Sequence, residues 1–161
     1  MREGYPSPAR ISPPVRCSPL MADADVEVRD RLDRSHVRQL MDLYAVEWWT
    51  SERELPDVEA MLEGTDLVVA LIHRPTDRLV GFARVLTDFV YQALVLDVIV
   101  AEDLRGTGLG ATLMDAVVNH PRLAPVRTFE LACQPELVPF YSRWGFTDKP
   151  GRSRLMRRRA G

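Results

Sequence analysis

The chain has 161 residues, 46% of them apolar and 27% charged, with a net charge of −2. That length suits one domain with a substantial core, and the near-neutral balance gives no global pull toward nucleic acid. No apolar run reaches the roughly 18 residues that cross a bilayer, and Cys17 and Cys133 show neither a disulfide framework nor a metal-ligand spacing.

Five prolines in the first 20 residues exclude helix and sheet there, so residues 1–22 are expected to be a disordered, proline-rich extension. They lack the apolar core of a secretory signal. Met21 is the expected true start, with residues 1–20 an upstream extension. Residues 23–161 read as a single domain, and a reducing cytoplasm is the expected setting.

Val26-Glu27-Val28 predicts a first strand. Ser35 is a candidate cap for a helix in which Val37, Leu40, Met41, Tyr44, Val46 and Trp48 recur at helical spacing up to Thr50. A second helix follows Pro56 and closes at Gly64. Residues 67–72 and 79–86 are strands joined by a polar turn containing Pro75. Residues 91–100 form a fourth strand, apolar on both faces as at a sheet centre and interrupted by Asp97. A helix to about His120, a fifth strand over 128–133, a fourth helix over 136–144 and one or two closing strands after Phe146 complete the order. The pattern predicts a mixed α/β sheet. The terminal run Arg157-Arg158-Arg159 reads as a solvated tail.

Between the fourth strand and its helix lies Arg105-Gly106-Thr107-Gly108-Leu109-Gly110. Backbone N–H groups of such a loop converge on one concavity, and the helix start adds its positive dipole end. A phosphate or pyrophosphate fits that cradle. A Walker loop would need Gly-Lys-Ser/Thr, which is missing. A dinucleotide fingerprint is met loosely through Ala111, but the next strand leads into Gln134-Pro135 and not to an acidic residue.

Strand, Arg-x-x-Gly-x-Gly and helix resemble the acyl-CoA pyrophosphate motif of the GNAT N-acetyltransferase superfamily. Phe140-Tyr141-Ser142-Arg143-Trp144-Gly145-Phe146 resembles its second signature, Tyr-x-x-x-Gly-Phe, and Val100-Ala101-Glu102-Asp103-Leu104 resembles the segment before the arginine. Glu102 stands where that family usually has proline. The likeness implies a mostly antiparallel sheet of six to seven strands with about four helices, splayed between strands 4 and 5. It implies acetyl-CoA as acyl donor, held by Arg105, Gly106, Thr107, Gly108, Leu109 and Gly110. The backbone of Val98, Ile99 and Val100 would pair with the pantetheine arm and polarise the acyl carbonyl.

Amide formation needs somewhere for the amine's proton to go, a donor to the acyl oxygen and an acid for the departing sulfur. Tyr141 stands at the family's tyrosine, where a neutral phenol is a fitting acid. Gln134, seven residues earlier, stands where many members have a cofactor-binding asparagine. Asp97 is the first candidate base, because a carboxylate in an apolar strand must find a partner or a cleft. Glu130, in the adjoining strand, is the second, and ordered water is a third route to the same end. The segment from Trp48 to Arg53, with Tyr91, is the candidate acceptor-recognition surface.

The expected function is N-acetyl transfer to a primary amine of a small molecule or peptide, by direct attack. No nucleic acid, membrane or metal is expected, and a homodimer is admitted. His36, His73 and His120 read as incidental. The competing reading is an acyl-CoA-binding sensor or interaction module without chemistry; a nucleotide-binding redox domain fits the second signature poorly.

Overall fold

Apolar runs rich in Val, Leu and Ile pair into one sheet whose spatial order is also the chain order: β1 (Val26–Arg29), β2 (Leu67–His73), β3 (Arg78–Thr87), β4 (Gln92–Val100) and β5 (Thr128–Leu131). The structure is a computed structural model and describes residues 25–149, 151 and 156–158. The expected extension, residues 1–22, lies outside the described residues. The first four strands pair antiparallel, while β5 runs parallel to β4. A parallel neighbour needs a crossover, and α3 (Leu109–Val118) supplies it. Between β3 and β4 the chain turns on Asp88, whose carboxylate accepts the N–H groups of Val90, Tyr91 and Gln92.

Each face of the sheet has its own core. On one side Val69, Leu71, Val85 and Val95 pack against Leu109, Leu113 and Val117 of α3. On the other, Ile72, Phe82 and Ile99 meet Leu40 and Tyr44 of α1 (Arg34–Ala45) and Val58 of α2 (Leu55–Glu63). Burial of the sheet on both faces explains why β2 and β3 read as apolar runs without clean alternation. By contrast β4 alternates, with Gln92 and Leu94 exposed, and is not buried on both faces as its apolar run suggests.

Two strand irregularities set up the site. β5 pairs with β4 only over Gln92 to Val95, so residues 96–100 of β4 have no partner on the β5 side. The β4–β5 pairing thus stops at Val95, where β5 itself ends. In addition, Phe82 faces Ile99 while Arg84 faces Leu96, which puts one extra residue into β4 at Asp97 and Val98. Asp97 has φ 54°, a left-handed conformation that aspartate tolerates better than most residues. Such a bulge inverts the facing of a strand. Ala93 and Val95 belong to the α3 side before it, and Ile99 and Ala101 to the α1 side after it.

The sheet has five strands among the described residues, where six to seven are expected. In the closing segment Lys149 N–H is taken by the Thr147 hydroxyl and Gly151 N–H by the Lys149 carbonyl. The rest of the expected closing strands, residues 150, 152–155 and 159–161, lies outside the described residues. Other boundaries also move. Asp33, not Ser35, caps α1, accepting the His36 N–H at 2.9 Å. That helix ends at Ala45, because the Thr50 hydroxyl donates to the Tyr44 carbonyl and the chain continues in turns. The fourth helix is one α-turn, α4 (Val138–Tyr141), between 3-10 turns at Pro135–Leu137 and Ser142–Trp144. Pro135 and Pro139 each remove a backbone donor from this stretch, which limits a longer ladder.

Candidate active site

The glycine loop leaves the open end of β4 and enters α3. Gly106 and Gly108 have φ 78° and 103°, a region closed to most side chains. A Cβ added at either would meet no atom within 4 Å. The space over them is open, and Gly108 caps α3 with the first intrahelical bonds arriving from Ala111 and Thr112. The earlier N–H groups at this helix start have no intrahelical partner, as at any helix N-terminus. The cradle therefore fits a pyrophosphate by its own geometry.

Arg105 folds back from this loop. Its Nε donates to the Val100 carbonyl at 3.2 Å, and its Nη2 pairs with Glu47 of the α1–α2 segment. Thr107 donates its hydroxyl to the Leu104 carbonyl at 2.6 Å, which tightens the loop. Leu109 is buried and anchors α3 to the sheet. Gly110 serves packing: a Cβ there would stand 3.3 Å from Phe140 Cζ. Its lack of a side chain lets α4 approach the first turn of α3. Trp144 reinforces the contact by donating its indole N–H to Asp115 of α3 at 2.7 Å.

That docking places Tyr141 beside the end of β5. It is 7% exposed and lines a cavity of about 420 Å³ together with Leu131, Cys133, Val138 and Phe146. Burial, with Cys133 adding to it, pushes the phenol up to about 12, so the hydroxyl keeps its proton across the neutral range. Its ring packs edge-on against Phe140 and Phe146. Gln134 opens the 3-10 turn that leads to α4, and its carbonyl accepts the Leu137 N–H at 2.9 Å. Val98 and Val100 are half-buried and Ile99 is buried, all three on the part of β4 without a β5 partner.

Asp97 is committed to other partners. Its carboxylate receives Tyr44 Oη at 2.9 Å, Arg84 Nε at 2.7 Å, and Arg53 through Nη1 at 2.7 Å and Nη2 at 3.0 Å. Arg53 also lies over the Tyr44 ring, 4.5 Å from its centroid. Burial on its own would raise the Asp97 carboxyl, yet the hydrogen bonds and charges of Arg53 and Arg84 hold it below the usual carboxylate range. A carboxylate so engaged is a weak proton acceptor. Its tie to Tyr44, Arg53 and Arg84 joins α1, the α1–α2 segment, β3 and the β4 bulge. Glu130 is exposed and lies opposite Leu94 in the β4–β5 register, on the sheet face away from α3.

The role of Arg53 and Arg84 is not read from the sequence, although one signal is present in it. Asp97 and Arg84 each interrupt an apolar strand, and two opposite charges in neighbouring strands call for each other. What the sequence does not carry is the bulge that turns Asp97 toward Arg84. Removing the carboxylate strands two guanidinium groups, so Asp97→Ala should cost about 3–5 kcal/mol in chemical denaturation. The acid dependence follows in sign. Because the folded carboxyl lies below its unfolded value, its stabilisation is complete above about pH 4 and is lost as pH falls further. Melting temperature should therefore drop more steeply below pH 4 in the wild type than in Asp97→Asn; equal slopes would count against the ion pairs.

An antiparallel sheet with a parallel last strand, a glycine loop leading from β4 into α3 and a tyrosine on the short helix after β5 together form a mixed α/β acetyltransferase architecture. The profile of the acetyltransferase (GNAT) domain matches residues 46–157, and the chain belongs to that family. It is 33% identical over 101 residues to the uncharacterized N-acetyltransferase ycf52 of the alga Porphyra purpurea, a match over 62% of this chain and 58% of that protein's own length. It is 27% identical to GCN5-related N-acetyltransferase 1, chloroplastic, of Arabidopsis thaliana, covering 91% of this chain and 75% of the relative. Among solved structures, one from Xanthomonas campestris described as belonging to the GNAT family shares 31% identity. It superposes with a TM-score of 0.71 over 84% of this chain and 93% of that one. No described helix is long and apolar enough to cross a membrane.

Proposed function

We propose that the protein transfers an acetyl group from acetyl-CoA to a primary amine of a small molecule or peptide, with Tyr141 as general acid. The observation that carries the reading is the open glycine cradle at the end of β4, where a Cβ at Gly106 or Gly108 would meet no atom within 4 Å; Tyr141 lines a cavity beside the end of β5 with Leu131 and Cys133. When bound, acetyl-CoA supplies an activated acyl carbon in a thioester. Its pyrophosphate suits the N–H groups from Gly106 to Gly110 and the guanidinium of Arg105, and its pantetheine arm suits the free edge of Val98, Ile99 and Val100. A backbone N–H on that edge is a rigid donor to the acyl oxygen, already oriented before the reaction. Gln134 suits an amide contact to the arm.

Tyr141 holds its proton in the neutral range and gives it to the departing sulfur, which becomes the thiol of CoA. The amine's proton must leave as the C–N bond forms. Asp97 and Glu130 are the two carboxylates on offer, and their surroundings separate them. Four hydrogen bonds from Tyr44, Arg53 and Arg84 engage Asp97, so its role is to position the bulge and the acceptor-side elements. The Glu130 carboxylate makes no ion pair or hydrogen bond with the described residues and takes the proton, directly or through water.

Acceptor recognition falls to the α1–α2 segment. Trp48 is 78% exposed and follows Glu47, and Tyr91 is also exposed, with Arg127 stacked on its ring at 5.1 Å. These aromatic faces suit the apolar part of an amine. The reading is tested by thiol release from acetyl-CoA against a panel of primary amines, alongside CoA binding by calorimetry. Amine-dependent release supports transfer. Tight CoA binding with no release for any amine would favour the acyl-CoA-binding module.

A further inference from the structure

We infer that Asp33, His36 and Asp77 form a site for one divalent transition-metal cation, zinc being the fitting probe, which joins the start of α1 to the β2–β3 turn. None of these residues belongs to the transfer machinery proposed above. His36 is 1% exposed, yet its Nε2 is buried without a hydrogen bond. Buried polar atoms are almost always paired, so an orphan asks for a ligand. The nearest acceptor is Asp77 Oδ1, 3.3 Å away but directed too obliquely for an N–H···O bond.

That geometry is what a shared cation leaves. Two adjacent ligands at about 2.0–2.2 Å from a tetrahedral ion stand about 3.3–3.5 Å apart, and the second lies off the axis of the first one's lone pair. On the other side of the ring, Asp33 Oδ1 stands 3.0 Å from Nδ1. A carboxylate at the second nitrogen is the usual partner of a metal-bound imidazole, fixing its tautomer and orientation. One ligand atom from each of the three residues lies within 4.8 Å of the others. Asp33 and Asp77 are exposed enough for water to complete the shell.

One neighbour competes. Arg29 Nη1 lies 3.4 Å from Asp77 Oδ1, but its Nε is held by Glu27 at 2.9 Å, so it can yield Asp77 without losing its ion pair. Imidazole with carboxylates suits zinc and its neighbours more than calcium or magnesium, which take oxygen shells. Asp77 is followed directly by Arg78, the first residue of β3, which pairs twice with Asp103 just before the glycine loop. A cation here would brace α1 against the end of the sheet from which that loop departs.

The test uses the full chain, stripped with EDTA and titrated with zinc by calorimetry and by thermal melting. The wild type should bind one zinc that Asp77→Asn lacks, while Asp33→Asn, which retains a good helix cap, should bind it roughly 10–100-fold more weakly. Zinc at a hundred times its dissociation constant should raise the wild-type melting temperature by roughly 5–10 °C and leave Asp77→Asn unchanged. Asp77 lies in an exposed turn, and far-UV circular dichroism checks that its variant is folded. Identical isotherms for wild type and Asp77→Asn would overturn the site. So would a wild type whose melting temperature does not respond to zinc.

Discussion

Tyr141→Phe should leave CoA binding intact and lower turnover by about 10²- to 10⁴-fold, the usual scale of general acid–base catalysis. The substitution keeps the ring, and the ring is what packs against Phe140 and Phe146. It removes only the hydroxyl that borders the cavity. If that hydroxyl acts on the leaving sulfur, the missing interaction belongs to the transition state. The Michaelis constant for acetyl-CoA should then stay nearly constant while kcat falls. Phenylalanine in a well-packed position should also hold the melting temperature, which separates lost chemistry from lost structure. A Tyr141→Phe enzyme with wild-type turnover, measured where chemistry limits the rate, would remove Tyr141 from the mechanism.

Gly108→Val should abolish CoA binding in a domain that still folds. A Cβ there would meet no atom within 4 Å, so the valine would project into the open space over the loop, where the pyrophosphate is proposed to sit. Each charge-assisted hydrogen bond lost there is worth about 1.5–3 kcal/mol, or roughly 10–150-fold in affinity. Valine at φ 103° also strains the start of α3, so a modest fall in melting temperature should accompany the loss. Calorimetry that finds unchanged CoA affinity in a folded Gly108→Val protein would refute the cradle.

Much of the fold was legible because its signals are local. Apolar runs bounded by turns locate β2, β3 and β4, and Gly106 and Gly108 announce positive φ where the loop needs it. The splay is an expectation from resemblance to a family, and the register shows that β5 pairs with β4 only as far as Val95. Less legible were the ends of elements. Whether α1 stops at Ala45 or at Thr50 turns on one hydroxyl, that of Thr50, reaching the Tyr44 carbonyl. The stretch from Glu136 to Trp144 is expected as one helix, yet it is one α-turn between two 3-10 turns.

The sequence by itself determined the class of protein and the location of the cradle, because Arg105 to Gly110 and the tyrosine signature act through neighbours a few positions away. Only the tertiary structure decided what Asp97 and His36 do. Asp97 and Arg84 sit in separate strands, and their contact depends on a one-residue bulge that rotates the carboxylate to the α1 face, where Arg53 and Tyr44 complete its shell. His36 looks incidental along the chain, because Asp77 reaches it only when the β2–β3 turn folds over the start of α1. Backbone conformation is set by near neighbours, whereas the partners of a buried charge are set by which strands and helices pack together. Periodicity and spacing carry the first kind of information and not the second.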